Sequence, residues 1–108
     1  MDFDTADVYC KGRGGRLVFF NTEYEYQQYI LLRPYRTEWI GMKRYGSNPS
    51  AGWRNVDGST PYFNWYPGEP NNNGGNEKCG HVFYQEYRHL DMNDAPCNHN
   101  YPFTCRLN

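Results

Sequence analysis

Four cysteines, Cys10, Cys79, Cys97 and Cys105, are the feature that most restricts how this chain of 108 residues can fold. Aliphatic residues are sparse whereas tyrosine occurs 11 times, so aromatic rings have to fill much of a modest core. Small domains with little core are commonly stabilised by disulfides in oxidising compartments. We therefore expect two disulfide bonds and an extracellular or secreted protein.

Three pairings of these cysteines are possible, and we favour the nested arrangement in which Cys10 pairs with Cys105 and Cys79 with Cys97. Zinc is the alternative use of the thiols. Cysteine ligands of structural zinc usually lie about two to four residues apart, and neither the cysteines nor the three histidines supply such a pattern. A bridge that closes nearly the whole chain removes about 4 to 5 kcal/mol of unfolded-state entropy in the loop-closure model.

The length and charge of the chain exclude several classes of protein. Residues 1–108 are expected to form a single domain, since single cores persist up to roughly 250 to 300 residues. The net charge is −1 and the basic residues are scattered, so no nucleic-acid partner is expected. No apolar run approaches the roughly 20 residues that span a bilayer. The acidic start, Met1 to Asp4, differs from a signal peptide, which indicates a mature fragment or an added initiator methionine.

Two helices are predicted in the first third of the chain. The first covers Thr5 to Arg13, is capped by Asp4 or Thr5, and stops at Gly14 and Gly15. The second begins at the capping box of Thr22 and Glu25 and continues until Pro34.

Short strands are predicted after Pro34, which gives an α+β architecture with an antiparallel sheet. Leu17 to Phe20 is read as a buried connection or strand. Residues 46–51 and 62–76 have no regular pattern, and an irregular segment as long as the second is usually functional or disordered. The predicted strands cover residues 39–42, 53–56, 79–84, 89–92 and 101–107.

The long irregular segment contains many oxygen ligands. Calcium prefers about six to eight oxygens from carboxylates, amide carbonyls, backbone carbonyls and water. A Glu-Pro-Asn triplet taken alone is a turn, and Asn-Asn-Asn-Gly-Gly is a hydrated loop. A second oxygen pair near Cys97 and a carboxylate two residues before Cys79 favour a cation site instead, and a cis peptide bond before a proline would hold the loop. The candidate ligands are Glu69, Asn71, Glu77, Asn93 and Asp94.

Motifs along nearly the whole chain resemble the C-type lectin-like domain, in particular its calcium-dependent, mannose-type members. They comprise Cys10 followed by Gly14-Gly15-Arg16-Leu17, Glu23 and Glu25, Trp39-Ile40-Gly41-Met42, Asn64-Trp65, Glu69-Pro70-Asn71, Glu77-Lys78-Cys79, Asn93-Asp94 and Phe103-Thr104-Cys105. This resemblance implies the C-type lectin-like fold, with two helices, antiparallel sheets, two nested disulfides and a long loop that binds calcium and sugar.

The resemblance also implies one calcium site, formed by Glu69, Asn71, Glu77, Asn93 and Asp94, and a glycan partner. Two neighbouring sugar hydroxyls would coordinate the ion, with Asn71 and Asn93 donating hydrogen bonds to them and Glu69 and Glu77 accepting. In this family Glu-Pro-Asn accompanies mannose, glucose, N-acetylglucosamine or fucose, whereas Gln-Pro-Asp accompanies galactose. The expected specificity is therefore the mannose type.

Three departures from the family pattern change these expectations. Lys43, Asn72 and Lys78 stand where an auxiliary calcium site needs acidic residues, so that site is expected to be absent. Met92 replaces the usual Trp, which predicts a looser Asn93-Asp94 pair. The usual first strand is missing or truncated, which would leave the sheet edge near Tyr101 to Leu107 exposed or covered by a partner.

Other function classes remain as alternatives. An enzyme is not expected, because His81 and His99 have no evident nucleophile beside them. A non-carbohydrate module of the same fold, which binds protein, ice or a mineral surface, is the competing interpretation. A shallow site around one ion binds weakly, so we expect clustering through a homo-oligomer or a larger parent chain.

Overall fold

The computed structural model describes residues 1–32, 36–85 and 89–107. Pro34, which was predicted to end the second helix, lies outside these residues. No helix within them is long and apolar enough to cross a membrane. The elements in chain order are α1 (Phe3–Lys11), β1 (Gly15–Leu17), α2 (Glu23–Leu32), β2 (Glu38–Arg44), β3 (Trp53–Asn55), a 3-10 turn (Asn73–Gly75), β4 (Glu77–Gln85), β5 (His89–Pro96) and β6 (Cys105–Leu107).

Helix α1 begins two residues earlier than predicted because its cap is Asp2 rather than Asp4 or Thr5. The Asp2 side chain accepts a hydrogen bond from the Thr5 backbone N–H at 2.9 Å. The helix ends at Lys11, also two residues before the predicted end, since Gly12 already serves as its C-cap. Gly12 donates to the carbonyl of Val8 at 3.1 Å, which completes the last turn.

Helix α2 begins with the reciprocal cap that the sequence predicts. The Thr22 hydroxyl accepts from the Glu25 backbone N–H at 3.1 Å, and the Glu25 carboxylate accepts from the Asn21 N–H at 2.7 Å. The first bond satisfies a backbone donor that a helix leaves unpaired at its start, and the second holds the preceding residue, Asn21, against the first turn. Tyr26 and Tyr29 lie on the buried face of this helix.

The strands form two sheets, one with the order β3-β2-β4-β5 and one made of β1 and β6. All pairings between these strands are antiparallel, as predicted. All five predicted strands differ from the observed ones at one or both ends, three of them by one or two residues at an end and two by four residues. The strand expected over residues 89–92 continues to Pro96, because β5 remains paired with β4 from Gln85 to Glu77. The last strand covers Cys105–Leu107 instead of residues 101–107, since only these three residues pair with β1. Of the run Leu17 to Phe20, Leu17 alone belongs to β1.

Two buried clusters hold the helices against the sheets. The first packs rings of α2 against β2, β4 and β5, and includes Tyr26, Tyr29, Ile40, Val82 and Met92. The second surrounds Trp39 and contains α1 residues together with Cys10 and Cys79. Aromatic rings therefore fill much of the interior, as the composition predicts.

Both disulfides have the predicted nested pairing. Cys10 is bonded to Cys105 with a Cα–Cα distance of 5.4 Å, which joins α1 to β6. Cys79 is bonded to Cys97 at 5.2 Å, which joins β4 to the segment after β5. No cysteine is free, so none is left for zinc.

The backbone of β2 at Gly41 packs directly against neighbouring backbone, and a substitution there tests this close packing. Its N–H donates to the Val18 carbonyl and its carbonyl accepts from Val56. An added Cβ would lie 2.3 Å from the Leu17 carbonyl oxygen. Because backbone cannot yield easily, Gly41→Ala should lower the free energy of unfolding by about 1 to 3 kcal/mol.

Urea denaturation of the two proteins measures this difference. Gly12→Ala is the matched control, since Gly12 has helical dihedrals and an added Cβ would lie 3.4 Å from its nearest neighbour. The control should be neutral or stabilising by less than about 1 kcal/mol. Equal stability of the Gly41→Ala and control variants would contradict the close packing of β2.

Candidate functional site

The long loop, residues 62–76, is attached to β5 at Met92. The Met92 N–H donates to the carbonyl of Asn64 and its carbonyl accepts from Tyr66, both at 2.9 Å. Its sulfur accepts from the Asn64 N–H at 3.2 Å, and the side chain is fully buried. Met92 thus connects the loop to the sheet through three hydrogen bonds.

The middle of the long loop is held by the carboxylate of Asp94. Asp94 lies within β5 and is 1% exposed. Its two oxygens accept from the backbone N–H groups of Asn71 at 3.3 Å and Asn72 at 2.7 Å. The peptide bond between Glu69 and Pro70 is cis, as expected for a proline bond in this loop.

The other candidate ligands belong to the same hydrogen-bond network. The Asn73 N–H donates to Asn71 Oδ1 at 3.1 Å and to Glu77 Oε1 at 2.8 Å. Asn71 Nδ2 lies 3.4 Å from Glu69 Oε2. Asn93 Oδ1 accepts from the N–H of Asp94 at 2.8 Å. The five candidate ligands therefore come from three places, the loop, the first residue of β4 and the middle of β5.

Strand pairing explains why distant residues meet here. Gly80 pairs with Asp94 and Glu77 with Pro96, so the start of β4 runs beside the second half of β5. The Cys79–Cys97 bond closes this end of the pair. The strand predicted over residues 89–92 left Asn93 and Asp94 just beyond its end, whereas both lie within β5.

The surroundings of Glu69 disfavour its ionised form. Burial and the neighbouring Asp94 carboxylate raise the pKa of Glu69 from 4.5 to about 7. One of its carboxylate oxygens, Oε1, is buried without a hydrogen-bond partner. Burial also raises the pKa of Glu77. Carboxylates that lie near one another in partial burial favour either a proton or a cation.

The three carboxylates do not converge on one point. Within the described parts of the chain, no group of three or more His, Cys, Asp or Glu side chains is close enough to hold a metal ion. Backbone N–H groups of residues 71–73 lie between the carboxylates and occupy some of their acceptor positions. The oxygen ligands predicted from the sequence thus share one network without forming a closed metal cluster.

His81 belongs to the aromatic core rather than to a reactive site. Its ring stacks on Tyr101 at 5.1 Å and meets Trp39 edge to face at 6.2 Å. Burial lowers its pKa from 6.5 to about 4, so the imidazole is neutral at pH 7. The exposed His99 lies 6.1 Å from Tyr101, measured between ring centroids.

Two residues that shape the loop were not predicted in these roles. Arg44 is buried at the end of β2, and its guanidinium donates to Asn72 Oδ1 at 3.0 Å. Asn72 has a left-handed backbone with φ of 50° and donates to Asp94. The sequence signal for Asn72 was its place in a run of three asparagines before two glycines, which favour such conformations. No sequence pattern marks Arg44 as buried.

The chain matches the Lectin C-type domain family over residues 1–107. It is 33% identical to human C-type lectin domain family 4 member K over 113 aligned residues, which cover 94% of this chain and 31% of that protein. It is 32% identical to C-type isolectin Sp-CL4 of Scorpaena plumieri, covering 95% of this chain and 72% of that protein. The chain thus spans about a third of the human relative.

The fold is also found among solved structures. The cow C-type carbohydrate-recognition domain of CD23, crystallised in the presence of a GlcNAc2Man3 oligosaccharide, superposes with a TM-score of 0.82 at 27% identity, covering 100% of this chain and 81% of that one. Because the superposition covers 100% of this chain, it includes both helices and both sheets. Together with the family match, these similarities show that the chain belongs to the C-type lectin domain family and has the C-type lectin fold.

Proposed function

We propose that this domain binds a calcium ion through Glu69, Asn71, Glu77, Asn93 and Asp94, and through that ion binds mannose-type monosaccharides. The main support for this proposal is Glu69 Oε1, a buried carboxylate oxygen that has no hydrogen-bond partner. The pKa of the same carboxyl group is raised to about 7. Buried acceptors are almost always paired, so an orphan one beside two further carboxylates fits a cation ligand.

The donor set fits calcium by its chemistry. The five side chains offer carboxylate and amide oxygens and no nitrogen or sulfur ligand, which is the preference of a hard cation. Asn93 Oδ1 and Glu77 Oε1 each accept one hydrogen bond in the structure. Each such oxygen has a second acceptor position, so these residues can keep their present bonds and also face a cation. Gathering the carboxylates requires a local adjustment of residues 69–77.

The residues of the chain would divide the recognition of a sugar between donors and acceptors. When bound, calcium supplies coordination positions for two neighbouring hydroxyls of the sugar. The amide groups of Asn71 and Asn93 carry N–H donors, whereas the carboxylates of Glu69 and Glu77 only accept. This order of donor and acceptor along Glu69-Pro70-Asn71 favours the mannose class: mannose, glucose, N-acetylglucosamine and fucose.

A glycan partner agrees with the family of the chain and with a neighbour solved in the presence of a mannose-containing oligosaccharide. The proposed role is binding rather than catalysis, and His81 packs against Tyr101 and Trp39 within the aromatic core. The two disulfides support an extracellular location. A shallow site of this kind binds one sugar weakly, so an oligomer or a longer parent chain would supply avidity. No contact among the described residues favours the competing protein-, ice- or mineral-binding role.

Retention on mannose resin tests the proposal directly. The protein should bind the resin in the presence of calcium, elute with free mannose, and pass through when a chelator is present. Calorimetric titration with calcium should give one site per chain. Retention that persists unchanged with chelator would favour the competing, non-carbohydrate role.

Exchange of the donor and acceptor ends tests the assignment of sugar class. The paired change Glu69→Gln with Asn71→Asp keeps the net charge and reverses which side chain donates. The preference for mannose over galactose should shift by at least about tenfold toward galactose, which is about 1.4 kcal/mol. Binding to a panel of monosaccharides by competition measures this ratio.

Asn73→Asp is the control, because its side chain lies in the same loop but is not a proposed ligand. It should leave the order of sugar preference unchanged. A paired variant that keeps the mannose preference would overturn the donor and acceptor assignment.

The raised pKa of Glu69 predicts a pH dependence of stability in chelator. A carboxyl group whose pKa is 4.5 unfolded and about 7 folded favours the folded state when protonated. Its contribution is complete below pH 4.5 and is lost as the pH rises to about 7. Glu69→Gln removes this loss, so the variant should gain stability relative to the wild type between pH 4.5 and 8.

Thermal unfolding with chelator at pH 4.5, 6 and 8 measures this difference for the two proteins. Groups remote from Glu69 titrate alike in both proteins and cancel in the comparison, whereas Asp94 and Glu77 interact with Glu69 and contribute to the difference. Added calcium should reverse the order at pH 8, because the wild type then has the charged ligand. A difference that does not change with pH would refute the strained carboxyl at position 69.

A further inference from the structure

Arg44 presents a charge that the fold buries without an opposite charge. Its side chain is 2% exposed. None of the ion pairs found among the described residues includes it. Burying a guanidinium is costly unless acceptors surround it, and an arginine retained in such a position requires a reason.

The acceptors of Arg44 belong to two different irregular segments. Nη1 donates to the backbone carbonyl of Gly46, at the start of residues 46–51. Nη2 donates to Asn72 Oδ1 at 3.0 Å, in the long loop. The third nitrogen, Nε, is buried without a partner. One rigid guanidinium at the end of β2 therefore joins both segments to the sheet.

Asn72 is hydrogen-bonded both to Arg44 and to two of the proposed cation ligands. Its Oδ1 also accepts from the Glu77 N–H at 3.1 Å, and its own N–H donates to Asp94 Oδ2 at 2.7 Å. Its carbonyl accepts from Gly75 at 2.9 Å. Asn72 thus makes four hydrogen bonds in a left-handed conformation with φ of 50°, which asparagine tolerates better than most residues.

We propose that Arg44 is a positioning residue, which acts through Asn72 to hold residues 71–77 in place before a cation binds. In this role the positive charge of the guanidinium orders the loop, as an additional bound cation would. The contribution to calcium affinity rests on the proposed function, whereas the order of the loop in chelator does not.

Amide hydrogen exchange in the presence of chelator tests this role without any ligand. The amides of Asn72, Asn73 and Glu77 should be protected in the wild type. Arg44→Met replaces the charge by an apolar chain of similar length and should lower their protection by at least about tenfold. Amides in the middle of β4 and β5, such as those of Val82 and Met92, should keep their protection.

Arg54→Met is the matched control, since Arg54 is an exposed arginine of β3 whose guanidinium donates to the carbonyl of Trp53 at 2.8 Å. It should leave the loop amides unchanged. If Arg44→Met fails to fold, Asn72→Gly tests the same link, because glycine keeps the left-handed backbone and removes the acceptor. Asn72→Asp retains an acceptor for Arg44 and should preserve the protection that Asn72→Gly loses.

Calcium titration of the same variants adds a second measurement. Arg44→Met should weaken calcium binding by about tenfold or more, and Arg54→Met should not. Unprotected loop amides in the wild type, unchanged protection in Arg44→Met, or an equal loss throughout β4 and β5 would each overturn the positioning role. A wild type that binds no calcium but has protected loop amides would defeat the proposed function and leave the role of Arg44 in ordering the loop intact.

Discussion

The carboxylate of Asp94 is the point on which the arrangement of the long loop depends. It is nearly fully buried in β5 and accepts two backbone N–H groups of the loop, from Asn71 and Asn72. Hydrogen bonds to a buried carboxylate are stronger than those between neutral groups, so this contact fixes the loop more firmly than a turn would. Because Asp94 sits in the middle of a strand, the loop inherits its position from the sheet. The remaining acceptor capacity of the same carboxylate is available to a cation, which connects the folding of the loop with the proposed function.

The sheet itself is placed by covalent and aromatic constraints. The Cys79–Cys97 bond links the start of β4 to the residue after β5. Met92, the fourth residue of β5, holds the beginning of the loop through backbone hydrogen bonds to Asn64 and Tyr66. Trp39 and His81 fill the interior below this end, where the small aliphatic content leaves space for rings. Glu69 and Asn71 therefore lie beside the sheet although their own segment has almost no regular structure, and the other three candidate ligands lie in β4 and β5.

Features encoded by neighbouring residues were predicted well from the sequence. The cap of α2 depends on residues within one turn of one another: Thr22 accepts from the Glu25 N–H, and the Glu25 carboxylate accepts from the Asn21 N–H. The disulfides and the antiparallel strands also agree with prediction, and the resemblance of whole motifs identified the family correctly. Two features set by tertiary contacts were not predicted. The extension of β5 through Asn93 and Asp94 comes from pairing with β4, which no local pattern reveals. The burial of Arg44 depends on a loop 28 residues further along the chain. The calcium site and its sugar class remain predictions, because carboxylates separated by backbone N–H groups do not form a metal cluster.

Because Arg44 bonds to both Gly46 and Asn72, a change in one of these two segments alters the position of the other. Residues 46–51 and the long loop share a single guanidinium, so a change that draws Gly46 away alters the geometry offered to Asn72. Insertions or exchanges near Gly46 would then shift Asn72 and the loop that carries two of the proposed calcium ligands. Anyone who grafts new sequences onto this scaffold therefore has to treat the two segments as one unit of design.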